Sequence, residues 1–330
     1  MFRQPRPLHP LSIGLLIAHL LVMFLLALPW LARGFDSWWL DNFSNLQLQW
    51  SLLALLLLLV GWRQPRRLNV GLALVYLALV LVNFAPLWWV KSPPQQPSIS
   101  ISIAQLNLQY FNPDIDRVID SLVDSDYDLI ALQEIADFNL DRVRRLQASY
   151  PYVIGSRNAQ GPSSGHAVFS RLPLVKRDIV DLGYVEGRVI ETAFEVPGLN
   201  APVELLALHP GAPRSEELWQ LRNRTLAFIA ERAAISDQAH RIVVGDINVS
   251  PWSPHHARLL DSGGLVNTAT GQGYIPSWSL LGPQPIVRLL TSVYIDHCLV
   301  SPDIGVVGKS YRLVPGSDHL LVETRLALPQ

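Results

Sequence analysis

The chain has 330 residues, with 26 Lys+Arg against 27 Asp+Glu, long enough to bury a sizeable core in one large domain or two medium ones. The near-balance hides a split: residues 1–91 hold 7 basic and 2 acidic residues, whereas 92–330 hold 19 and 25, an ordinary globular composition. A wholly soluble cytosolic protein, a disordered chain and, with Cys298 as the single cysteine, a disulfide framework are all excluded.

Residues 1–91 read as a membrane anchor with three apolar stretches, at about 11–31, 46–62 and 68–90. Roughly 20 helical residues cross a ~30 Å hydrocarbon core, so the first and third are comfortable spans and the 17-residue second is marginal. Trp30, Trp38, Trp39, Trp50, Trp62, Trp88 and Trp89 cluster at or near the stretch ends, as interfacial anchors do. A cleaved signal peptide is the alternative for the first stretch, but two more apolar stretches come next. Arg3 and Arg6 in the tail, with Arg63, Arg66 and Arg67 in the second loop, place both on the cytoplasmic side. Three crossings then put everything after Val90 on the extracytoplasmic (periplasmic) face of a multi-pass inner-membrane protein; failure of the second stretch to cross would turn the domain inward.

Residues 92–97, Ser-Pro-Pro-Gln-Gln-Pro, form a stiff linker that reaches only about 19 Å at ~3.1 Å per residue. The domain at 98–330 must therefore ride close to the bilayer. Its first segment, 98–108, alternates Ile99, Ile101 and Ile103 with serines, which predicts a strand. Helices are expected at 114–124, 137–148, 215–234 and from Pro254 to Gly263-Gly264, with Ser215 and Ser253 as N-caps. Further strands are expected at 128–135, 151–155, 166–170, 189–196, 203–208, 241–245, 292–301 and 320–326. Strands outnumber helices, and two sheets packed face to face with helices outside satisfy the pattern.

The informative residues are polar groups ending apolar strands: Asn107, Glu134, His209, Asp246, Asn248, Asp296, Asp318 and His319. Singly each has a plain reading, since Gly-Asp-x-Asn is an ordinary turn and Ser-Asp-His can begin a strand. Asp296 is harder to dismiss, because an ionised carboxylate in an apolar run is costly unless it is paired or metal-bound. Four carboxylates meeting at one edge would repel one another without a cation. Carboxylates, amide carbonyls and water select Mg²⁺ or Mn²⁺, and no zinc signature is present.

Taken in order, Asn107, Gln133-Glu134, Ser170-Arg171-Leu-Pro173, His209, Gly245-Asp246-Ile-Asn248, Ile295-Asp296-His297 and Ser317-Asp318-His319 resemble the motif series of the endonuclease/exonuclease/phosphatase superfamily. The resemblance covers about 99–328 and implies the DNase I-like fold, an α/β (α+β) four-layer β-sandwich with flanking helices, here preceded by three transmembrane helices. The anchor, His209-Pro210 and the Leu218–Arg224 context resemble a membrane-anchored bacterial branch. The resemblance implies Glu134 as metal ligand supported by Asn107, Asp246 as the group that positions or deprotonates water, and Asn248 as phosphate holder. It implies His319 paired with Asp296 as stabiliser of the phosphorane, Asp318 as assistant to the metal or the His209 region, and His209 as general acid. Ser170 and Arg171 are implied to shape the site edge and contact substrate. Gln109 stands where some members carry an acidic residue, which counts against a second metal from that side.

These readings converge on a Mg²⁺- or Mn²⁺-dependent phosphoesterase acting on a phosphodiester, phosphomonoester or pyrophosphate. Residues 92–330 carry net −6 with no Lys/Arg run, which disfavours nucleic acid and, with the short tether, favours a lipid-borne phosphate at the bilayer. The alternatives are a metal-dependent nuclease and a non-catalytic membrane-anchored binding domain of the same fold. A transporter is disfavoured, because His19 is the one readily ionisable side chain in the spans. No protein partner is implied.

Overall fold

A computed structural model describes residues 10–88, 98–184, 186–236, 240–282 and 284–330. The 92–97 linker and the last two residues of the third expected span lie outside the described residues. The chain divides into two compact units, Met1–Pro86 with Trp252–Pro254 and Leu87–Pro251 with His255–Gln330.

In the first unit, α1 (Pro10–Leu31) with the 3₁₀ turn after it, and α4 (Arg66–Trp88), supply the two segments long and apolar enough to cross a membrane, Ile13–Gly34 and Arg66–Trp88. The middle segment differs from expectation. The expected loop at 32–45 contains a helix, α2 (Trp38–Ser44), and α3 (Gln47–Val60) follows it at a 69° bend, so the pair is either one broken span or a re-entrant loop. At ~1.5 Å per residue the 14 residues of α3 alone fall short of the hydrocarbon core. The polar residues that interrupt the apolar stretches bond to one another across helices. Asn83 Nδ2 donates to Gln47 Oε1 (2.8 Å) and to the Leu26 carbonyl (2.8 Å), and Trp30 Nε1 donates to Asn83 Oδ1 (3.1 Å). In an apolar medium such groups need internal partners, and here they knit α1, α3 and α4 together.

The second unit contains two six-stranded sheets. In chain order the first strands are β1 (Ser98–Asn107), β2 (Leu129–Ile135), β3 (Tyr152–Gly155) and β4 (Gly165–Ser170). Then come β5 (Leu174–Asp181), β6 (Arg188–Phe194), β7 (Val203–Leu208) and β8 (Arg241–Asp246). The last six are β9 (Val266–Asn267), β10 (Trp278–Ser279), β11 (Ser292–Val293), β12 (Asp296–Val300), β13 (Gly305–Leu313) and β14 (Leu320–Pro329). One sheet runs β13-β14-β1-β2-β4-β3 and the other β5-β6-β7-β8-β12-β9, with β10-β11 a small separate pair.

Each large sheet has one parallel pair at its centre, β1/β2 and β7/β8, joined by α5 (Ile115–Val123) and α7 (Glu216–Ile235) respectively. Ile119 and Leu122 of α5 and Val143 of α6 (Leu140–Arg144) cover the outer face of the first sheet. Leu226 and Ile229 of α7 and Leu259 of α8 (Pro254–Gly263) cover the second. The layers are therefore helix, sheet, sheet, helix, as the sequence led us to expect. Ser215 caps α7 by accepting from Leu218 N at 3.2 Å.

Three expectations are corrected. The helix expected at 137–148 is three pieces, a 3₁₀ turn at Asp137–Asn139, α6, and a second 3₁₀ turn at Arg145–Ala148. The strand expected at 292–301 splits into β11 and β12, because Ser277 Oγ accepts from both Ile295 N (3.2 Å) and Asp296 N (3.1 Å) and takes those amides from the ladder. The strands β5 and β13 were not expected. Both are sheet edges carrying Lys176, Arg177, Asp178, Lys309 and Arg312, the charges that deter edge-to-edge pairing and that also mask a strand pattern.

Alternation along the strands fixes what faces the inter-sheet core. Ile101 and Ile103 of β1, Ala131 of β2, Leu205 of β7, Val244 of β8 and Cys298 of β12 all lie in it. Gly245 faces the other way, at φ 151°, and a Cβ there would sit 2.0 Å from the Leu208 carbonyl oxygen. We predict that Gly245→Ala costs about 2–4 kcal/mol, read as a lowered melting temperature; an unchanged melt would contradict the close β7–β8 approach.

Candidate active site

The inter-sheet face turns polar as the strands reach one rim. On β1 the sequence Ile101, Ile103 continues on the same face as Gln105 and Asn107. On β8, Ile242 and Val244 are followed by Asp246; on β7, Leu205 and Ala207 by His209; and Asp296 opens β12 on the face of Cys298 and Val300. Parallel pairing brings the C-terminal ends of β1 and β2, and of β7 and β8, to this rim, and antiparallel β12 places Asp296 directly opposite Asp246.

Glu134 should point away by parity, toward the helices with Ile130 and Leu132. It does not, because the β2–β4 register shifts between Leu132 and Ile135 and Glu134 has φ 54°. This bulge redirects its carboxylate to the rim. Asn248 (φ 51°) and Gln109 (φ 61°) share that uncommon backbone conformation, so strain concentrates around the site.

Asn107 Nδ2 donates to both Glu134 Oε1 and Asp246 Oδ2, at 3.0 Å each. Glu134 Oε2 accepts from Tyr110 N (3.1 Å). His319 Nδ1 bonds Asp296 Oδ2 (2.8 Å), and its Nε2 lies 3.7 Å from Asp246 Oδ2. His209 Nε2 lies 3.7 Å from Glu134 Oε1, and His209 Nδ1 bonds the Asp246 carbonyl at 3.2 Å. Asn107, His209, Asp246, Asp296 and His319 are all buried. Asp318 lies half-buried beside them, its Oδ1 3.9 Å from His319 Nε2. Asn248 N donates to Asp246 Oδ1 (3.1 Å), while its side-chain amide is engaged with the Pro210 carbonyl (2.9 Å).

Ser170 and Arg171 do not join this group. Ser170 pairs with Leu129 at the far end of β4, whereas Gly165 pairs with Ile135 at the rim, and six strand residues separate the two ends by about 17 Å. The Ser170 hydroxyl closes a local turn with both backbone groups of Leu172, and the Arg171 guanidinium packs 4.9 Å from the Tyr150 ring centroid and bonds the Ser125 carbonyl. Both therefore lie away from the rim where the substrate-contact expectation put them.

Three other residues enter the site unannounced. Gln105 Nε2 donates to Asp296 Oδ1 (2.7 Å) and to Gln133 Oε1 (2.7 Å), so both oxygens of Asp296 are occupied and its carboxylate is held facing His319. Trp278 Nε1 donates to Asp318 Oδ2 (2.8 Å), and Ser277 holds the Asp296 backbone. Gln105 was legible as a polar residue two positions before Asn107 on a buried strand face. Ser277 precedes and Trp278 opens the two-residue strand β10, too short for a pattern to mark them. A cleft of about 550 Å³ opens beside His209, lined by Tyr110, Arg157, His166 and Arg188 among others.

The charges regulate one another. Burial pushes Glu134 up, but neighbouring His209 and the Asn107 amide outweigh it and hold the carboxyl at about 2. Burial, then the Asp296 charge, raises Asp246 to about 6. Burial also raises Asp296, yet the His319 charge and hydrogen bond prevail and keep it lowered. Both imidazoles are lowered by burial and raised by more through their carboxylates, His209 through Glu134 and Asp246 and His319 through Asp296, each to about 9. Carboxylate oxygens converging here suit a hard divalent cation. Asp246, Asp296 and His319 offer ligand atoms within 4.8 Å of one another, and the shared Asn107 amide brings Glu134 to the same place.

A buried rim of carboxylates and imidazoles between two sheets defines a hydrolase-type centre on a DNase I-like fold. The profile of the Endonuclease/Exonuclease/phosphatase family matches residues 104–319, and the chain belongs to that family, whose members are phosphoester hydrolases, mostly metal-dependent. Among solved structures, the chain is similar to an endonuclease/exonuclease/phosphatase from Beutenbergia cavernae (20% identity, TM-score 0.54, covering 70% of this chain and 72% of that one). It is also similar to D. rerio TDP2 complexed with single strand DNA product (15%, 0.55, 69% and 98%). A third is the Bacteroides thetaiotaomicron mannosyl-6-phosphatase Bt3783 (14%, 0.52, 68% and 99%). At these identities the likeness establishes the fold. No curated protein matches the chain by sequence.

Because His209 and His319 have folded pKa values raised above the unfolded 6.5, their stabilising charge is complete below pH 6.5 and lost as pH rises through about 9. In EDTA we predict a melting temperature that falls between pH 6.5 and 9, with a shallower slope in His319→Gln; identical slopes would contradict the pairing.

Proposed function

We propose that this protein hydrolyses a phosphate ester or pyrophosphate by attack of water, with Mg²⁺ or Mn²⁺, and that its substrate is a lipid-borne phosphate at the membrane surface. The observation that carries this reading is the single Asn107 amide holding the Glu134 and Asp246 carboxylates together, with the His319–Asp296 pair alongside.

Glu134, with Asn107 and Asp318 in support, would hold the ion. When bound, the ion neutralises phosphate oxygens and the charge that develops on them. Asp246 orients a water and takes its proton as the water oxygen forms a bond to phosphorus. The phosphorus–oxygen bond to the leaving group breaks in turn, and protonated His209 supplies the proton that the departing oxygen needs. His319, kept cationic and aimed by Asp296, and Asn248 through its backbone position beside Asp246 complete the phosphate cradle. A non-catalytic binding domain is a poorer reading, because a degenerate copy sheds a carboxylate or the Asp-His pair and this chain keeps all of them.

The lipid preference rests on sequence: two or three apolar helices precede the domain, and residues 92–330 carry net −6, a poor match to a polyanionic backbone. The second reading is a nuclease-type phosphodiesterase, favoured by the likeness to a structure that holds a DNA product. An extracytoplasmic site requires three crossings, so it stands if α2–α3 is one broken span and falls if the pair is re-entrant.

The test uses the full chain in detergent with Mg²⁺, measuring phosphate release from membrane lipids against nicking of plasmid DNA. We expect lipid turnover, abolished by EDTA and lowered about 10²–10⁴-fold in Asp246→Ala. Asp246-dependent nicking with untouched lipids would install the nuclease reading instead.

A further inference from the structure

Two exposed apolar groups flank the site, one on each side of its mouth. On the Glu134 side stand Phe111, 80% exposed, and Phe138, 59% exposed, their rings stacked at 5.8 Å. Phe111 follows Tyr110, whose amide holds Glu134, and Phe138 lies three residues past the end of β2. On the His319 side is the segment 275–291, which contains β10 and α9 (Pro285–Thr291). Ser277 and Trp278 tie it to Asp296 and Asp318, and the Ser279 amide donates to the Asp318 carbonyl. Beyond those anchors it buries little: no residue of α9 is buried, Leu280 and Leu281 are 63% and 67% exposed, and Ile286 and Leu290 are 73% and 54% exposed. Its one ionisable side chain, Arg288, donates to the Pro276 carbonyl at 3.0 Å.

Apolar side chains displayed together on the rim of a catalytic mouth are costly in water and mark a docking surface. The chain itself names the occupant. Nine residues separate the apolar helix ending at Trp88 from Ser98, so the tether spans at most about 36 Å. A domain of this size is about 45 Å across, so part of its surface must stay near the bilayer.

We propose that Phe111 with Phe138 on one side and Leu280, Leu281, Ile286 and Leu290 on the other dip into the lipid interface, so that the active-site mouth opens onto the bilayer and takes its phosphate ester directly from the membrane. Substrate arrives by lateral diffusion in the leaflet, and a soluble ester reaches the same site without needing this contact. The proposal rests on the hydrolase reading above for its catalytic consequence, but the docking itself is measurable without turnover.

The experiment uses the full chain with Cys298→Ala, in nanodiscs of phosphatidylethanolamine and phosphatidylglycerol. An environment-sensitive fluorophore is placed at Leu281→Cys, at Ile286→Cys, or at Val175→Cys near the end of β5 remote from the rim. Probes at 281 and 286 should shift to the blue and be quenched by doxyl-labelled lipids, with the Val175 probe unquenched. Quenching no greater than at Val175 overturns docking, and probes shielded from water yet unquenched would put a protein where the lipid is proposed, which overturns it as well. In parallel, the triple variant Leu281→Asp, Ile286→Asp, Leu290→Asp should lose about tenfold in rate on a lipid-borne phosphate ester while a soluble aryl phosphodiester is turned over within about twofold of wild type. Equal losses on both substrates, or none, overturn the role in lipid access. Absence of turnover in the wild type on every phosphate ester would remove the hydrolase reading and leave the quenching result to decide docking.

Discussion

The two sheets meet largely through hydrocarbon, and a cluster of polar bonds joins them at one rim. There Asn107 of β1 bonds Asp246 of β8, Gln105 of β1 bonds Asp296 of β12, and His319, just ahead of β14, bonds the same Asp296. Each of these bonds crosses from one sheet to the other. The geometry of the site therefore depends on how the sheets stack, and the stacking is fixed by residues such as Ile103, Val244 and Cys298 behind it. A rigid, well-packed core is what allows side chains separated by up to 191 positions in sequence to be held at hydrogen-bond distance.

The constraint on this rim is electrostatic. Carboxylates at Glu134, Asp246 and Asp296 repel one another, and in the protein alone the compensation comes from His209 and His319, which are held cationic by those same carboxylates. Asp246 bears the residual strain as a carboxyl raised to about 6. A hard divalent cation would relieve it more completely than two imidazoliums, because its charge is concentrated at the convergence point. Glycine at 245 lets β8 pass close to the Leu208 carbonyl at the end of β7, just before Asp246.

Much of this was legible in the sequence, and the reasons for the exceptions are physical. Alternation along β1, β7 and β8 carries polar residues onto the face of the buried ones, so Asn107, His209 and Asp246 could be placed at one rim from pattern alone. Glu134 breaks that parity and is rescued by a bulge that no periodicity announces. Asp296 looked like a charge inside a strand and is instead the first residue of one, because Ser277 interrupts the ladder before it. Ser170 and Arg171 belong to a strand that touches the site, but they sit at its other end; a motif locates a strand, not which end of it faces the chemistry. The edge strands β5 and β13 stayed hidden under their charges, and the second apolar stretch, marginal by length, proved to be half of a bent pair.

The account stands on one claim, that Glu134 and Asp246 are brought to a single cation-binding point by Asn107. Anomalous diffraction from crystals of the full chain grown with Mn²⁺ addresses it directly. A peak within coordination distance of Glu134 and next to Asp246, lost in Glu134→Gln, is the predicted result. A map without density there, or with the ion bound elsewhere and that carboxylate pair unaltered, would contradict it.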